Sequence, residues 1–311
     1  MAQSFTLNQK KKNADFLNNI ADQSHDEAFK GRSLYHDAWL RFKKNKTAMI
    51  SLVILILIVL AVIILPWFSP YSYADQNLLQ VDQAPSAIHW FGTDDLGRDV
   101  FTRVMVGGRI TLEIGFVATL VSVIIGTLVG ATAGFFGGKI DSVLMRIVDI
   151  LYGLPFMFFA ILLVTIFGRD FVLVFIAIGA VSWLDMARVV RGQTLGLKSK
   201  EFIEAAYVCG VKERTIITRH IVRNLIGIVA VYITLTVPIV IMTAAFLSFL
   251  GLGVQPPMTD WGGLISDGVA VITFNYWWIL VIPSIFLTVT LLCFNFIGNG
   301  LRDALDPREH R

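Results

Sequence analysis

Four groups of residues have types and spacings that could do chemistry, and each is measured against the pattern that chemistry requires. In Phe91-Gly92-Thr93-Asp94-Asp95-Leu96-Gly97-Arg98-Asp99 three carboxylates crowd together as in a cation loop, yet the D-x-D-x-D-G ligand spacing of a calcium loop is missing. Helix caps and local ion pairs are the expected use of these carboxylates. Ala133-Gly134-Phe135-Phe136-Gly137-Gly138-Lys139-Ile140 approaches a phosphate loop, with alanine where the first glycine belongs and isoleucine in place of the magnesium-binding hydroxyl. Asp149, Asp185 and Arg188 fall in or near apolar stretches, where a proton relay would need a series of carboxylates and histidines. Asp185 and Arg188 are three apart and are expected to pair on one helical face. Cys209, Cys293 and five scattered histidines suggest neither a disulfide framework nor a metal site. With no nucleophile elbow or zinc-protease helix either, the chain is not expected to be an enzyme or to bind a cofactor.

The elements that carry these residues are set by hydrophobicity. The 311 residues are 55% hydrophobic and only 16% charged, against roughly 25% charged for an average soluble domain. The apolar residues are gathered in runs near the ~20 residues that cross a bilayer. Such runs must be helices, because a backbone in hydrocarbon has to satisfy its hydrogen bonds within the segment. The sequence predicts an all-α polytopic membrane protein with six transmembrane helices, at 47–68, 110–136, 143–167, 171–191, 225–250 and 276–298. Of the 26 Lys and Arg residues, 22 lie on one side of these spans, while Arg98, Arg103, Arg109 and Arg169 lie on the other. Positive-inside topology then puts both termini in the cytoplasm of a multi-pass protein. The basic residues flank the apolar runs and form no basic face, so no nucleic acid is expected as a partner. The lipid bilayer is.

Between the spans, organisation is legible in outline. The tail 1–46 is polar, includes Lys10-Lys11-Lys12, and is expected to be flexible before Gly31, with an amphipathic helix near 33–46 on the cytoplasmic leaflet. The first apolar run is too long and too far along to be a cleaved signal, and reads as an anchor. The external loop 69–109 ends in Val100 to Arg109, which could form a helix lying at the membrane interface. Gly126, Gly130 and Gly134 repeat a small-xxx-small spacing that lets helix backbones approach closely. Pro155, Pro238 and Pro283 sit within spans, as packing kinks or as breaks lining a path. Trp261, Trp277 and Trp278 read as an interfacial aromatic belt, with contact to an external partner as the alternative.

The connection 192–224 is too patterned to be a linker. Lys200 to Cys209 reads as a short helix on which Phe202, Ile203, Ala206 and Tyr207 share a face, Gly210 offers the positive φ that ends helices, and Lys212 to Val222 resumes helical spacing. Glu204-Ala205-Ala206, with Gly210 after three intervening residues, resembles the EAA loop of permease subunits in binding-protein-dependent ABC importers. The family pattern continues with I-x-L-P, where this chain has His220-Ile221-Val222-Arg223, so the proline that would kink the start of the fifth span is absent. The stretches 91–112, 182–206, 246–268 and 294–308 are similar to the peptide and nickel class of these permeases, and within it most similar to the C-type subunits of oligopeptide importers.

The resemblance implies the type I permease fold of ABC importers: a five-helix core over 110–300, a cytoplasmic C-terminus at 301–311, and location in a bacterial inner membrane. It implies that Phe202, Ile203, Glu204, Ala205, Ala206 and Gly210 form a coupling helix docking on an ATPase subunit. Implied partners are a homologous B-type permease subunit, two cytoplasmic ATP-binding subunits, which would hold the ATP and magnesium, and a periplasmic peptide-binding protein. Oligopeptides are the expected cargo; dipeptides, nickel chelates or another small solute stay open, as does an ion-driven secondary transporter. No residue of the sequence marks a peptide pocket.

Overall fold

The computed structural model describes residues 34–167 and 171–305. The expected flexibility before Gly31, the basic residue Arg169 and the last residues of the C-terminal tail lie outside them. Among the described residues the secondary structure is helical, with one isolated bridge between Thr93 and Asp99. The principal helices, in chain order, are α1 (Leu34–Lys44), α2 (Lys46–Ile64), α3 (Val100–Phe136), α4 (Gly138–Tyr152), α5 (Phe156–Phe167), α6 (Phe171–Lys198), α7 (Glu201–Val208), α8 (Val222–Phe249), α9 (Trp261–Val271) and α10 (Trp277–Leu305).

Among the described residues four segments are long and apolar enough to cross a membrane: Lys46–Phe68, Val100–Phe136, Glu213–Phe249 and Trp277–Leu305. The stretch predicted as one span at 143–167 is two helices, α4 and α5, parted at Gly153–Pro155. Pro155 has no N–H to give and disfavours helical backbone at Leu154, so the ladder stops there. Pro238 and Pro283, by contrast, lie inside unbroken α8 and α10 and are buried.

α3 is the mast of the molecule. At 37 residues it is about 55 Å long, well beyond the ~30 Å of hydrocarbon. Val100 to Arg109 is its first part and not a separate interfacial helix, because Val100, Phe101, Val104 and Met105 are buried against Trp261 and Leu264 of α9 and Trp278 and Ile279 of α10. Farther along, α3 packs on α6 through the repeated glycines. A Cβ on Gly126 would come within 2.6 Å of the Met186 Cβ, and one on Gly130 within 2.4 Å of the Ala187 carbonyl oxygen. The absence of a side chain is what allows the two backbones to meet.

α4 is clasped to α6 by charge. Arg188 donates to Asp149 at 2.9 Å and lies 4.2 Å over the Tyr152 ring, while Arg191 donates Nη2–H to Asp141 at 2.6 Å. The expected Asp185–Arg188 pair does not form: the tyrosine face draws the guanidinium to α4 and its carboxylate.

The external loop is a built structure. Asp94 Oδ1 accepts from the backbone N–H of Leu96 and Arg98, and Oδ2 accepts from Arg98 Nε at 2.7 Å and from Arg103 Nη1. Arg103 also reaches Asp267 of α9 at 3.4 Å. Asp99 caps α3 through the Thr102 N–H, and its other oxygen meets His89 Nδ1 at 2.9 Å. Caps and ion pairs thus use these carboxylates, as the sequence suggested. The aromatic-belt reading fails for two of the three tryptophans. Trp261 is fully buried and donates to the Val104 carbonyl at 2.9 Å, and buried Trp278 donates to that of Thr93 at 3.1 Å, so both tie the loop and α3 to the helices behind them. Trp277 alone is exposed.

α9 was not foreseen. Eleven residues are too few for a span, although Asp260 followed by apolar positions at helical spacing was an available signal. Asp260 caps α9 by accepting from the Gly263 N–H at 2.9 Å, and burial pushes its carboxyl up to about 6.

Two outcomes are expected. Gly130→Leu should force α3 from α6 and destabilise the protein by about 1–3 kcal/mol, whereas Gly192→Ala, whose Cβ enters open space, should not; melting of the purified protein in detergent distinguishes them. Because folded Asp260 holds its proton up to about pH 6 and the unfolded side chain only to 3.8, the native state binds more protons between these values. Its stability should therefore rise as pH falls from 7 to 4, relative to Asp260→Asn, which keeps the cap.

Candidate functional site

The basic side of the molecule carries one small helix that stands clear of the spans. α6 runs on to Lys198, Lys200 turns the chain into extended backbone, and α7 begins at Glu201 with two carboxylates, Glu201 and Glu204, in its positive first turn. It ends at Gly210, whose φ of +71° no side-chain-bearing residue adopts comfortably. The Val211 N–H then donates to the Ala206 carbonyl at 3.0 Å and the Gly210 N–H to that of Tyr207 at 2.9 Å. This pair of bonds is the Schellman closure, which satisfies carbonyls left over at a helix end.

α7 has two faces. Ile203, with no exposure, and Ala206, at 7%, enter an apolar cluster built from Phe135 of α3, Met186 and Val190 of α6, and Leu225 of α8. Tyr207 stacks on Phe135 with ring centroids 5.9 Å apart and planes within 1°. On the other face Phe202 is 42% exposed and Val208 88%, with Ala205 and Cys209 open beside them. Phe202, Ala205 and Cys209 follow i, i+3, i+7 spacing and so form one apolar strip. Glu204 stands beside it, exposed, with its carboxylate in no hydrogen bond or ion pair among the described residues.

The face expected to hold Phe202, Ile203, Ala206 and Tyr207 together is therefore divided: Ile203 and Ala206 anchor, while Phe202 looks outward and Tyr207 lies across the seam. Apolar type alone could not separate them, since a short helix offers apolar residues to both a core and a partner.

Beyond Gly210, one helical turn at Glu213–Thr215 leads into a six-residue π-helical stretch, Ile216–Ile221, before α8. The sequence predicted ordinary helix there. The wider turn stacks Ile216 over Ile221, five apart, and buries both with Ile217 under α7. This widening lies just ahead of Arg223, the position where the family pattern has proline.

A bundle of long apolar helices with a charged, partly apolar knob at its basic end defines a polytopic membrane component. Residues 126–311 match the family of binding-protein-dependent transport system inner membrane components, and residues 33–85 match the N-terminal transmembrane domain of oligopeptide transport permease C. The first match spans more than half of the chain, and the chain belongs to the family of binding-protein-dependent transport system inner membrane components. It is 52% identical over 300 residues to the oligopeptide transport system permease protein of Haemophilus influenzae, covering 96% of each chain. It is 53% identical over 301 residues to the corresponding protein of Escherichia coli K12, covering 96% of this chain and 98% of that one. The dipeptide transport system permease protein of Bacillus subtilis is 45% identical over 279 residues, with 90% and 87% covered.

Gly210→Ala is expected to cost about 1 kcal/mol locally by straining the positive φ and opening the Schellman bonds. Hydrogen exchange in a membrane mimetic should show faster loss of protection at Val211 than at residues of α6; equal protection in variant and parent would contradict the assignment.

Proposed function

We propose that this chain is a membrane-spanning half of an ATP-driven importer of oligopeptides, and that α7 is where ATP-driven force enters it. The observation that carries the reading is the division of α7 into a buried anchor, Ile203 and Ala206, and an exposed strip of Phe202, Ala205 and Cys209, with the unused carboxylate of Glu204 exposed on the same helix. In this reading six spans cross the membrane, α4–α5 and α6 completing the four long ones, and both termini face the cytoplasm. The excess of Lys and Arg beside α1, α7 and the C-terminus supports that orientation.

A pair of cytoplasmic ATP-binding subunits holds the ATP and magnesium, since the Ala133–Ile140 stretch has neither the first glycine nor the hydroxyl a phosphate loop needs. One of them receives the α7 strip in a groove, with Glu204 meeting a donor across the interface. A homologous B-type permease supplies the other wall of the path, and a periplasmic binding protein delivers the peptide. Closure of the ATPase pair moves α7, and because Ile203 and Ala206 are packed among residues of α3, α6 and α8, those helices move with it. Oligopeptides are preferred to dipeptides as cargo because relatives named for oligopeptides are 47–54% identical over 90–96% of the chain, against 40–45% for those named for dipeptides.

Glu204→Lys should weaken docking by about 2 kcal/mol or more, roughly thirty-fold, as charge reversal at an interface centre does. Co-purification of ATP-binding subunits and peptide-stimulated ATP turnover should fall together while the chain stays inserted. Unchanged uptake and subunit binding, or uptake by this chain without any ATP-binding subunit, would contradict the proposal.

A further inference from the structure

Asp185 of α6 is left over by the packing that gives Arg188 to Asp149. The residue is exposed, and its carboxylate takes part in no hydrogen bond or ion pair among the described residues. It stands six residues inside the inner end of the span read at 171–191, about 9 Å along the helix. A side chain as short as aspartate's cannot carry its charge that far to the membrane surface, so a carboxylate held there faces water or an opposite charge.

The surface around it is polar and open. Asp185, Arg188, Gly192 and Gly196 follow i, i+3, i+7, i+11 spacing, share one face of α6, and are all exposed. A Cβ on Gly192 or Gly196 would meet nothing within 4 Å, so the face stays open from Asp185 toward the end of α6 that leads to α7. Hydrocarbon would strand the two charges, and the core of a subunit interface is depleted of charge. Two charges and two glycines in a row suit the wall of a water-filled passage.

The charges at this level do not balance. Asp149 accepts from Arg188 at 2.9 Å, and Arg188 covers the Tyr152 ring, so that pair is spent. Tyr232 of α8 lies within electrostatic range of both Asp185 and Tyr152. One negative charge therefore remains where α4, α6 and α8 come together, with phenol rings beside it. A carboxylate near aromatic rings is suited to receive an organic ammonium. Every peptide with a free amino terminus carries one such group whatever its sequence, and lysine adds more.

We propose that Asp185 contacts the ammonium groups of a peptide in transit, as a cation-selecting residue in the wall of the cargo path. The inference rests on the importer reading and adds to it a charge preference exercised inside the membrane. The rival is a cation of the sister permease, which would cover this face of α6 and shut water out.

The test uses the complete transporter in proteoliposomes, with trilysine and trialanine each supplied at concentrations that saturate the binding protein. Asp185→Asn should lower the ratio of trilysine to trialanine uptake about ten-fold, and Asp185→Glu should keep it. A purely structural role would lower both uptakes alike, and an unchanged ratio with uptake intact overturns the part given to Asp185. No uptake of either peptide by the unaltered complex would instead overturn the importer reading, and this inference with it. Asp185→Cys gives a readout that needs no transport and serves if the asparagine variant fails to assemble. A membrane-impermeant methanethiosulfonate on both sides of the membrane should modify residue 185 about ten-fold or more faster than it modifies Ile150→Cys, at an exposed apolar position of α4, as read by mass spectrometry of this chain. Equal modification, or none at residue 185, would set Asp185 against lipid or the sister subunit and overturn the assignment.

Discussion

The insertion of Ile203 and Ala206 into the cluster beneath α7 is the contact on which the coupling role proposed for this helix depends. Without it, the connection from α6 to α8 would be a tether, and a push on its tip would dissipate in loop motion. With it, α7 shares a core with Phe135, Met186, Val190, Ile216, Ile221 and Leu225, so a displacement of α7 is a displacement of α3, α6 and α8 as well. Close-packed side chains transmit strain in this way because they leave no slack volume. The Schellman closure at Gly210 and the π-helical stretch after it serve the same end: the first stops α7 abruptly, and the second turns three isoleucines under it.

The opposite end of the molecule answers a different constraint. There α3 projects beyond any bilayer, and its first three turns are clad by the external loop, α9 and the start of α10. Two buried arginines share Asp94, and removing that carboxylate would strand charges in the interior, so the pairing serves to fix one arrangement of the loop more than to add stability. Trp261 and Trp278 complete the fixing by donating to the backbone carbonyls of Val104 and Thr93. The two ends are joined by the glycine seam of α3 on α6, where direct backbone approach leaves little freedom for sliding.

What could be read in the sequence follows from these differences. Long apolar runs declare themselves because the bilayer imposes a length, and the glycines at 126, 130 and 134 because close approach imposes a size. The α7 helix and its glycine stop were legible for the same local reasons. The break at Pro155 was underestimated since apolar character continues across it and conceals the lost hydrogen bond. The inward turn of Trp261 and Trp278 was hidden because an amphipathic ring suits a membrane interface and a core with a carbonyl equally well. Arg188 found Asp149, 39 residues distant, in preference to its helical neighbour Asp185, a choice made by the packing of α4 on α6 and invisible to spacing. The two faces of α7 were likewise undecidable from residue type, for Phe202 and Ile203 differ in position and hardly in chemistry.

Cys209 offers the most direct measurement of whether the outer face of α7 is a covered, inward-facing docking surface. It lies exposed at the end of that helix, and the chain's other cysteine, Cys293, is buried. A membrane-impermeant maleimide applied to sealed vesicles of each orientation should label this chain at Cys209 only from the cytoplasmic side, and should be blocked when the ATP-binding subunits are assembled. Labelling from the periplasmic side, or labelling undiminished by assembly, would contradict the role given to α7.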